Sequence, residues 1–235
     1  QAHGLFGGLH VEDHQASRFQ LGQGEGLLFL GEASAFGLAL QLYIVYANDW
    51  ADAEGDALNR TYTRFSGGSR VVPDRLLTPR QLGLAACAMG LASLVCAVAV
   101  QALEPRPLLP LLALAGLLLL QMYSFRPLRL SYRGGGEVLQ MLGTGLVLPL
   151  YGYYAQAGTL SGLPWSVVLL LLPAHAACAV ATSIPDRPAD AHVRKRTVAV
   201  LVGVPAARAA VVGLNAMTLV LLLCFAPPGP GGTST

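Results

Sequence analysis

The sequence predicts an all-α fold, a polytopic transmembrane helical bundle, on three observations. Hydrophobic residues make up 54% of the chain and charged residues only 12%, against about 25% charged in ordinary soluble domains; mean hydropathy is +0.53. The apolar residues gather in runs near the length of about 20 residues that a bilayer core requires. The basic residues divide unevenly between the connections, with twelve of the fifteen Lys and Arg in alternate loops, the asymmetry that orients membrane proteins.

Taken in order, residues 1–26 form a polar N-terminal segment with His3, His10, His14, Glu12 and Asp13. Their spacing fits no helical or turn template for a metal site, so a surface segment is expected. The first residues lack the basic stretch and apolar core of a signal peptide. Six spans follow, in a transmembrane region over 27–225: Leu27–Ala47, Gln81–Leu103, Leu108–Tyr123, Val138–Gln156, Trp165–Ile184 and about Ala206–Phe225. The tail at 226–235, rich in proline and glycine, is expected to be disordered. Glu32 lies within the first span, where a carboxylate at membrane depth is costly, and is placed near the far interface.

The loops after spans one, three and five carry the basic residues: five between Asn48 and Arg80, three between Ser124 and Gly136, and four from Arg187 to Arg196. The intervening turns carry only Arg106. Positive charge marks the cytoplasmic side, so those loops are expected inside; the membrane expected is the bacterial cytoplasmic one. A net charge of +2 and the absence of a dense basic tract give no reason to expect a nucleic-acid partner. Cys87, Cys96, Cys178 and Cys224 lie inside apolar runs without CxxC spacing and read as small buried hydrophobes.

Two acidic clusters break the apolar pattern. Asp49, Asp52 and Asp56 follow the first span, and since each helical residue advances about 100°, their spacing puts them on one face. Asp186 and Asp190 are one turn apart after the fifth span, in the same compartment. Isolated acids at a helix end are ordinarily a solvated surface. Two clusters at neighbouring helix ends could instead hold Mg²⁺, which prefers oxygen ligands shared with a phosphate. Arg70 after the Gly67-Gly68 turn, and Lys195 with Arg196 after the second cluster, could complete the neutralisation of a diphosphate. Each of these bases taken alone is better read as a topology determinant. His175 reads as a packed residue and His192 as an exposed one.

These residues resemble a family. Asn48-Asp49-x-x-Asp52-x-x-x-Asp56 and Asp186-x-x-x-Asp190 are similar to the two signatures of the UbiA superfamily of intramembrane prenyltransferases. Gly67-Gly68-Ser69-Arg70-Val71, Tyr123-Ser124-Phe125-Arg126-Pro127, the run Leu130 to Glu137 and Lys195-Arg196-Thr197-Val198-Ala199-Val200 resemble the branch that prenylates dihydroxynaphthoate for menaquinone. The resemblance implies a UbiA-like bundle of nine helices, of which six are visible over residues 27–225. It implies that Asp49, Asp52 and Asp56 hold one Mg²⁺ and Asp186 and Asp190 another. Asn48 would support the diphosphate site, Arg70, Lys195 and Arg196 would meet the diphosphate, and Tyr123, Arg129, Tyr132 and Arg133 would shape the loop above the pocket.

The implied partners are a polyprenyl diphosphate, an aromatic acceptor, foremost 1,4-dihydroxy-2-naphthoate, and the lipid bilayer. Other acceptors stay open: a hydroxybenzoate, homogentisate, a porphyrin-type ring or a lipid glycerol. So does a catalytically silent prenyl-binding protein. A transporter would place ionisable groups at mid-membrane, whereas nearly all of them here sit at span ends.

Overall fold

The structure is a computed structural model that describes residues 23–60, 62 and 68–225, without the side chains of residues 23–30, 32 and 33. Residues 1–22, the side chain of Glu32, Gly67 and the tail from 226 therefore lie outside the described residues. The elements are α-helices α1 (Gln23–Leu58), α2 (Pro79–Leu103), α3 (Leu109–Ser124), α4 (Gly136–Leu142), α5 (Leu148–Ala157), α6 (Trp165–His192), α7 (Val198–Val202) and α8 (Val204–Phe225). A π-helical turn, Gly143–Val147, joins α4 to α5, and a 3-10 turn, Leu130–Tyr132, precedes α4.

Six membrane spans are not what the structure holds. Among the described residues three helices are long and apolar enough to cross a membrane: α2, α6 and α8. The run expected to span at 108–123 forms α3, whose 16 residues rise only about 24 Å. The run at 138–156 is divided among α4, the π turn and α5. Pro149 has no N–H to give the Gly145 carbonyl, and the turn just before it is widened, with the Leu148 N–H donating to the Gly143 carbonyl. The first run is part of α1, a 36-residue helix that carries the first acidic cluster without a break. It is not one of the three. The protein is nonetheless an integral membrane protein by its apolar spanning helices.

Helices α1 and α2 pack side by side through small residues. Gly83, Ala86, Gly90, Ser93 and Ala97, all buried on one face of α2, let the α1 backbone approach, as small-residue stripes do between membrane helices. The Tyr43 ring lies over Gly90 and the Trp50 indole over Gly83, so close that a Cβ at Gly83 would come within 2.8 Å of the indole. Trp50 also leans on Phe125 at the end of α3, with ring centroids 5.3 Å apart. This anchors the α1 end that bears the aspartates.

The start of α2 is fixed by a capping box. The Thr78 hydroxyl accepts from the Gln81 N–H and the Gln81 side chain accepts from the Thr78 N–H, which satisfies helix-end donors that would otherwise be orphaned. On the opposite side Arg106 is 5% exposed. It pairs with Glu104 and donates to the Gln156 carbonyl, a cation at the C-terminal end of α5.

Helix α6 runs through Pro173, Pro185 and Pro188 to His192, past the end expected at Ile184, so both second-cluster aspartates are helical. Gly203, at φ 82°, turns the chain between α7 and α8, a left-handed conformation that glycine adopts without strain. Helix α8 packs on α6 and buries only Ala207 among its own residues. Its apolar remainder faces outward, as suits a lipid-facing helix. The cysteines are not buried as expected: Cys87, Cys178 and Cys224 are exposed and Cys96 is half-buried. An apolar residue in a spanning helix can face lipid as readily as core, so hydrophobicity alone does not place it inside.

The α1–α2 contact can be tested. Replacing Gly83 with Val should cost roughly 1–3 kcal/mol by overpacking beneath Trp50, read as a lowered Tm of the detergent-solubilised protein. A variant that melts with the wild type would mean that the indole is not seated there.

Candidate functional site

One cavity of about 770 Å³ joins the two acidic clusters. Helix α1 lines it at three- and four-residue steps, from Phe36 through Leu40, Ile44 and Asn48 to Asp52 and Asp56. That periodicity is one face of a helix. Helix α6 contributes Ser183, Asp186 and Asp190, and the loop after it contributes Lys195 and Thr197. Tyr123, Tyr132 and Glu137 line the same end. The five aspartates and Glu137 are met by one basic side chain among the described residues that line the cavity, Lys195.

Lys195 is bound into the acidic end. Its Nζ donates to Asp52 Oδ2 at 2.7 Å, while the Tyr132 hydroxyl donates to Asp52 Oδ1 at 3.0 Å. The Lys195 backbone N–H donates to the Asp190 carbonyl at 2.8 Å, which continues the end of α6 and aims the side chain back across the cavity. Burial by itself would lower the ammonium pKa. The charges of Asp52, Tyr123 and Asp190 outweigh that and hold it above its ordinary value. Burial and the Asp52 charge push the Tyr132 hydroxyl up to about 12, so it remains a donor.

The other carboxylates are held by neutral donors. Asp49, 6% exposed, accepts from the Ser69 N–H at 3.0 Å. Asp190 accepts from the Thr197 hydroxyl at 3.2 Å, and Asp186 accepts from the Asn59 amide at 3.1 Å. The last bond connects the first cluster's segment directly to the second cluster. Asp56, beyond the apolar part of α1, is pushed up to about 7, by burial first and then by the charges of Asp52 and Asp49, with Lys195 pulling the other way. The acidic end thus holds more negative charge than its one lysine offsets.

Of the residues singled out from sequence, Asn48, Asp49, Asp52, Asp56, Tyr123, Tyr132, Asp186, Asp190 and Lys195 come together around this cavity. Arg70, Arg129, Arg133 and Arg196 are not among its lining residues. The Arg70 guanidinium donates to the backbone carbonyls of Asp56 and Asn59 and to Asp74, so it closes the C-terminal end of α1. Arg129 stacks on the Tyr132 ring at 3.6 Å and, with Arg126 and Arg133, lines a separate open cleft. Arg196 and His192 are exposed.

Sequence reading missed Asn59, Ser69, Thr197 and Glu137. Asn59 was within reach, since it extends the 49–52–56 stripe by three residues. The Ser69 contact comes from a backbone N–H, which no residue type announces. Glu137 accepts from the Val198 N–H and fixes the segment after Lys195, a long-range contact without a local pattern.

The donor set is oxygen-rich, as Mg²⁺ requires. Among the described residues no three acidic or histidine side chains converge to chelating distance. Mg²⁺ is ordinarily held by one or two carboxylates, with water and substrate phosphate completing its shell. The candidate ligands are Asp49, Asp52 and Asp56 on α1 and Asp186 and Asp190 on α6.

Comparison with known proteins gives two positive results. The sequence model described as the UbiA prenyltransferase family matches residues 20–235. Among solved structures, one titled "Structure of a UbiA homolog from Archaeoglobus fulgidus bound to DMAPP and Mg2+" is similar in fold, with a TM-score of 0.59 at 18% identity, over 83% of this chain and 72% of that one. No curated protein matches significantly.

The crowding at Asp56 has a signed consequence for stability without metal. Its folded pKa of about 7 lies above the ordinary 3.8, so at about pH 3 and below, where the group is protonated in both states, it costs almost nothing. As pH rises from there to 7 the unfolded chain ionises more readily, and stability falls. Above 7 the penalty is constant. Asp56→Asn should therefore raise the Tm at pH 8 in a chelator and leave it nearly unchanged at about pH 3. Equal effects at both values would count against ionisation of this buried, crowded carboxylate as the cause.

Proposed function

The chain belongs to the UbiA prenyltransferase family, and we propose that it transfers a prenyl group from a polyprenyl diphosphate to an aromatic acceptor, 1,4-dihydroxy-2-naphthoate, with Mg²⁺ held at the two aspartate clusters. The observation that carries this reading is the polarity of the cavity: acidic side chains from α1 and α6 at one end and mainly apolar, uncharged walls over the rest. A diphosphate and its metal ions fit the first part, and a hydrocarbon tail fits the second. The family relative solved with DMAPP and Mg²⁺ supports the same pairing of ligands. The acceptor assignment rests on residues 123–137 and 195–200, which resemble the dihydroxynaphthoate branch.

In this reading the five aspartates bind the metal ions, and bound Mg²⁺ supplies Lewis-acid stabilisation of the departing diphosphate. Lys195 is the cation placed to share that charge, and Tyr132 keeps Asp52 oriented from the other side. The apolar walls exclude water while the carbon–oxygen bond to diphosphate breaks. The resulting allylic cation is then attacked by the electron-rich acceptor ring, which afterwards loses a proton. Twelve of the fifteen basic residues lie in the loops on the side of these aspartates, which favours a cytoplasmic site in a bacterial inner membrane.

The test is a transfer assay. Membranes carrying the wild type, with prenyl diphosphates and a panel of aromatic acceptors, should form a Mg²⁺-dependent prenylated product, best with the dihydroxynaphthoate. Asp49→Ala and Asp186→Ala should each lower turnover about a hundredfold or more. Absence of product with every acceptor, or variants as active as wild type, would defeat the proposal; product with another acceptor only would defeat the acceptor assignment.

A further inference from the structure

At the far limit of its described lining the cavity meets a pair of stacked rings. Along α1 the lining residues recede from Asp52 through Asn48, Ile44 and Leu40 to Phe36, and along α4, the π turn and α5 they recede from Glu137 through Thr144 and Val147 to Tyr151. The two walls run in opposite directions, since Tyr132 just before α4 meets Asp52 while Tyr151 on α5 meets Phe36. Among the described residues both walls therefore reach their far limit together. There the Phe36 and Tyr151 rings lie 3.7 Å apart between centroids and 12° from parallel. They are 2% and 5% exposed. Among the described residues, none before Phe36 on α1 and none after Tyr151 on α5 lines the cavity.

The Tyr151 hydroxyl is buried without a hydrogen-bond partner among the described residues. The side chain is thus held by its ring and gains nothing from its oxygen, an arrangement that makes sense where an aromatic surface is what matters. From Asp49 back to Phe36 is thirteen residues of helix, about 20 Å at the standard rise. An isoprenyl unit advances roughly 5 Å over its four carbon–carbon bonds, so the distance holds about four units.

We propose that the Phe36–Tyr151 stack is the floor of the prenyl channel and sets the longest tail the protein accepts, at about four isoprenyl units; this deepens, and rests on, the prenyl-transfer reading above. Specificity for tail length then comes from a steric stop contributed by two helices that also carry, or lie beside, the acidic end. A tail too long to end above the rings must leave its diphosphate short of the aspartates.

The experiment measures, on the same purified full-length preparations, competitive binding and transfer of geranyl, farnesyl, geranylgeranyl and hexaprenyl diphosphates. Wild type should bind the geranylgeranyl compound at least about tenfold better than the hexaprenyl one. Phe36→Ala and Tyr151→Ala should raise the hexaprenyl-to-farnesyl ratio about tenfold, whereas Tyr151→Phe, which keeps the ring, should keep the wild-type ratio. Gly37→Leu covers the case in which truncating the floor impairs folding. Gly37 lines the cavity beside Phe36, and a Cβ there meets nothing within 4 Å. Its leucine should lower the geranylgeranyl-to-geranyl ratio. Length profiles unchanged in the alanine and leucine variants, or a wild type that binds hexaprenyl and geranylgeranyl diphosphates equally, would overturn the floor. Length-selective binding with no transfer to any acceptor would support the floor and defeat the transfer reading.

Discussion

The ion pair between Lys195 and Asp52 is the contact on which the acidic end depends. Five aspartates brought to the rim of one cavity would drive α1 and α6 apart if nothing positive stood between them. Lys195 reaches from the end of α6 to Asp52 on α1, with both side chains about nine-tenths buried. Removing one partner of such a pair typically costs about 3–5 kcal/mol, because the charge left behind is unsolvated. Tyr132 occupies the remaining Asp52 oxygen, so the loop before α4 is drawn into the same network. Asn59 adds a neutral bridge to Asp186. Three segments far apart in sequence are thereby held around one opening.

That arrangement divides the cavity sharply by polarity. Charge is confined to the end near the basic loops, and mainly apolar side chains, with the neutral Gln41, Gln140 and Thr144 among them, line the rest down to Phe36 and Tyr151. A diphosphate ester of an isoprenoid has the same division within one molecule. The fold provides it economically, because a single long helix, α1, carries both the carboxylates and part of the apolar wall on one face. The chain belongs to the UbiA prenyltransferase family, and the archaeal homolog is similar in fold.

Much of the site was legible in the sequence because it is written in helical spacing. Asp49, Asp52 and Asp56 share a face by arithmetic alone, and Asp186 with Asp190 repeats it. The number of spans was not legible in the same way. Hydropathy counts apolar residues but does not see that α3 ends after 16 of them, nor that Pro149 and the glycines around it divide a run of suitable length into three. Arginine placement was also beyond composition. Arg70 follows the first acidic cluster by fourteen residues, yet the φ of 60° at that residue and the open carbonyls at the end of α1 turn its guanidinium to the backbone. The floor rings were invisible for a similar reason, since Phe36 and Tyr151 are ordinary apolar residues until the fold stacks them.

The central claim is that the two acidic clusters act as one clamp around a diphosphate. Paramagnetic resonance of Mn²⁺, substituted for Mg²⁺ and titrated in the presence of a non-hydrolysable prenyl thiodiphosphate, tests it directly. The account predicts that Asp52→Asn and Asp190→Asn each weaken ion binding, that the loss at either cluster also weakens thiodiphosphate binding, and that the double variant loses less than the two single losses combined. Ion binding that persists unchanged when either cluster is altered, or two losses that add independently, would contradict it.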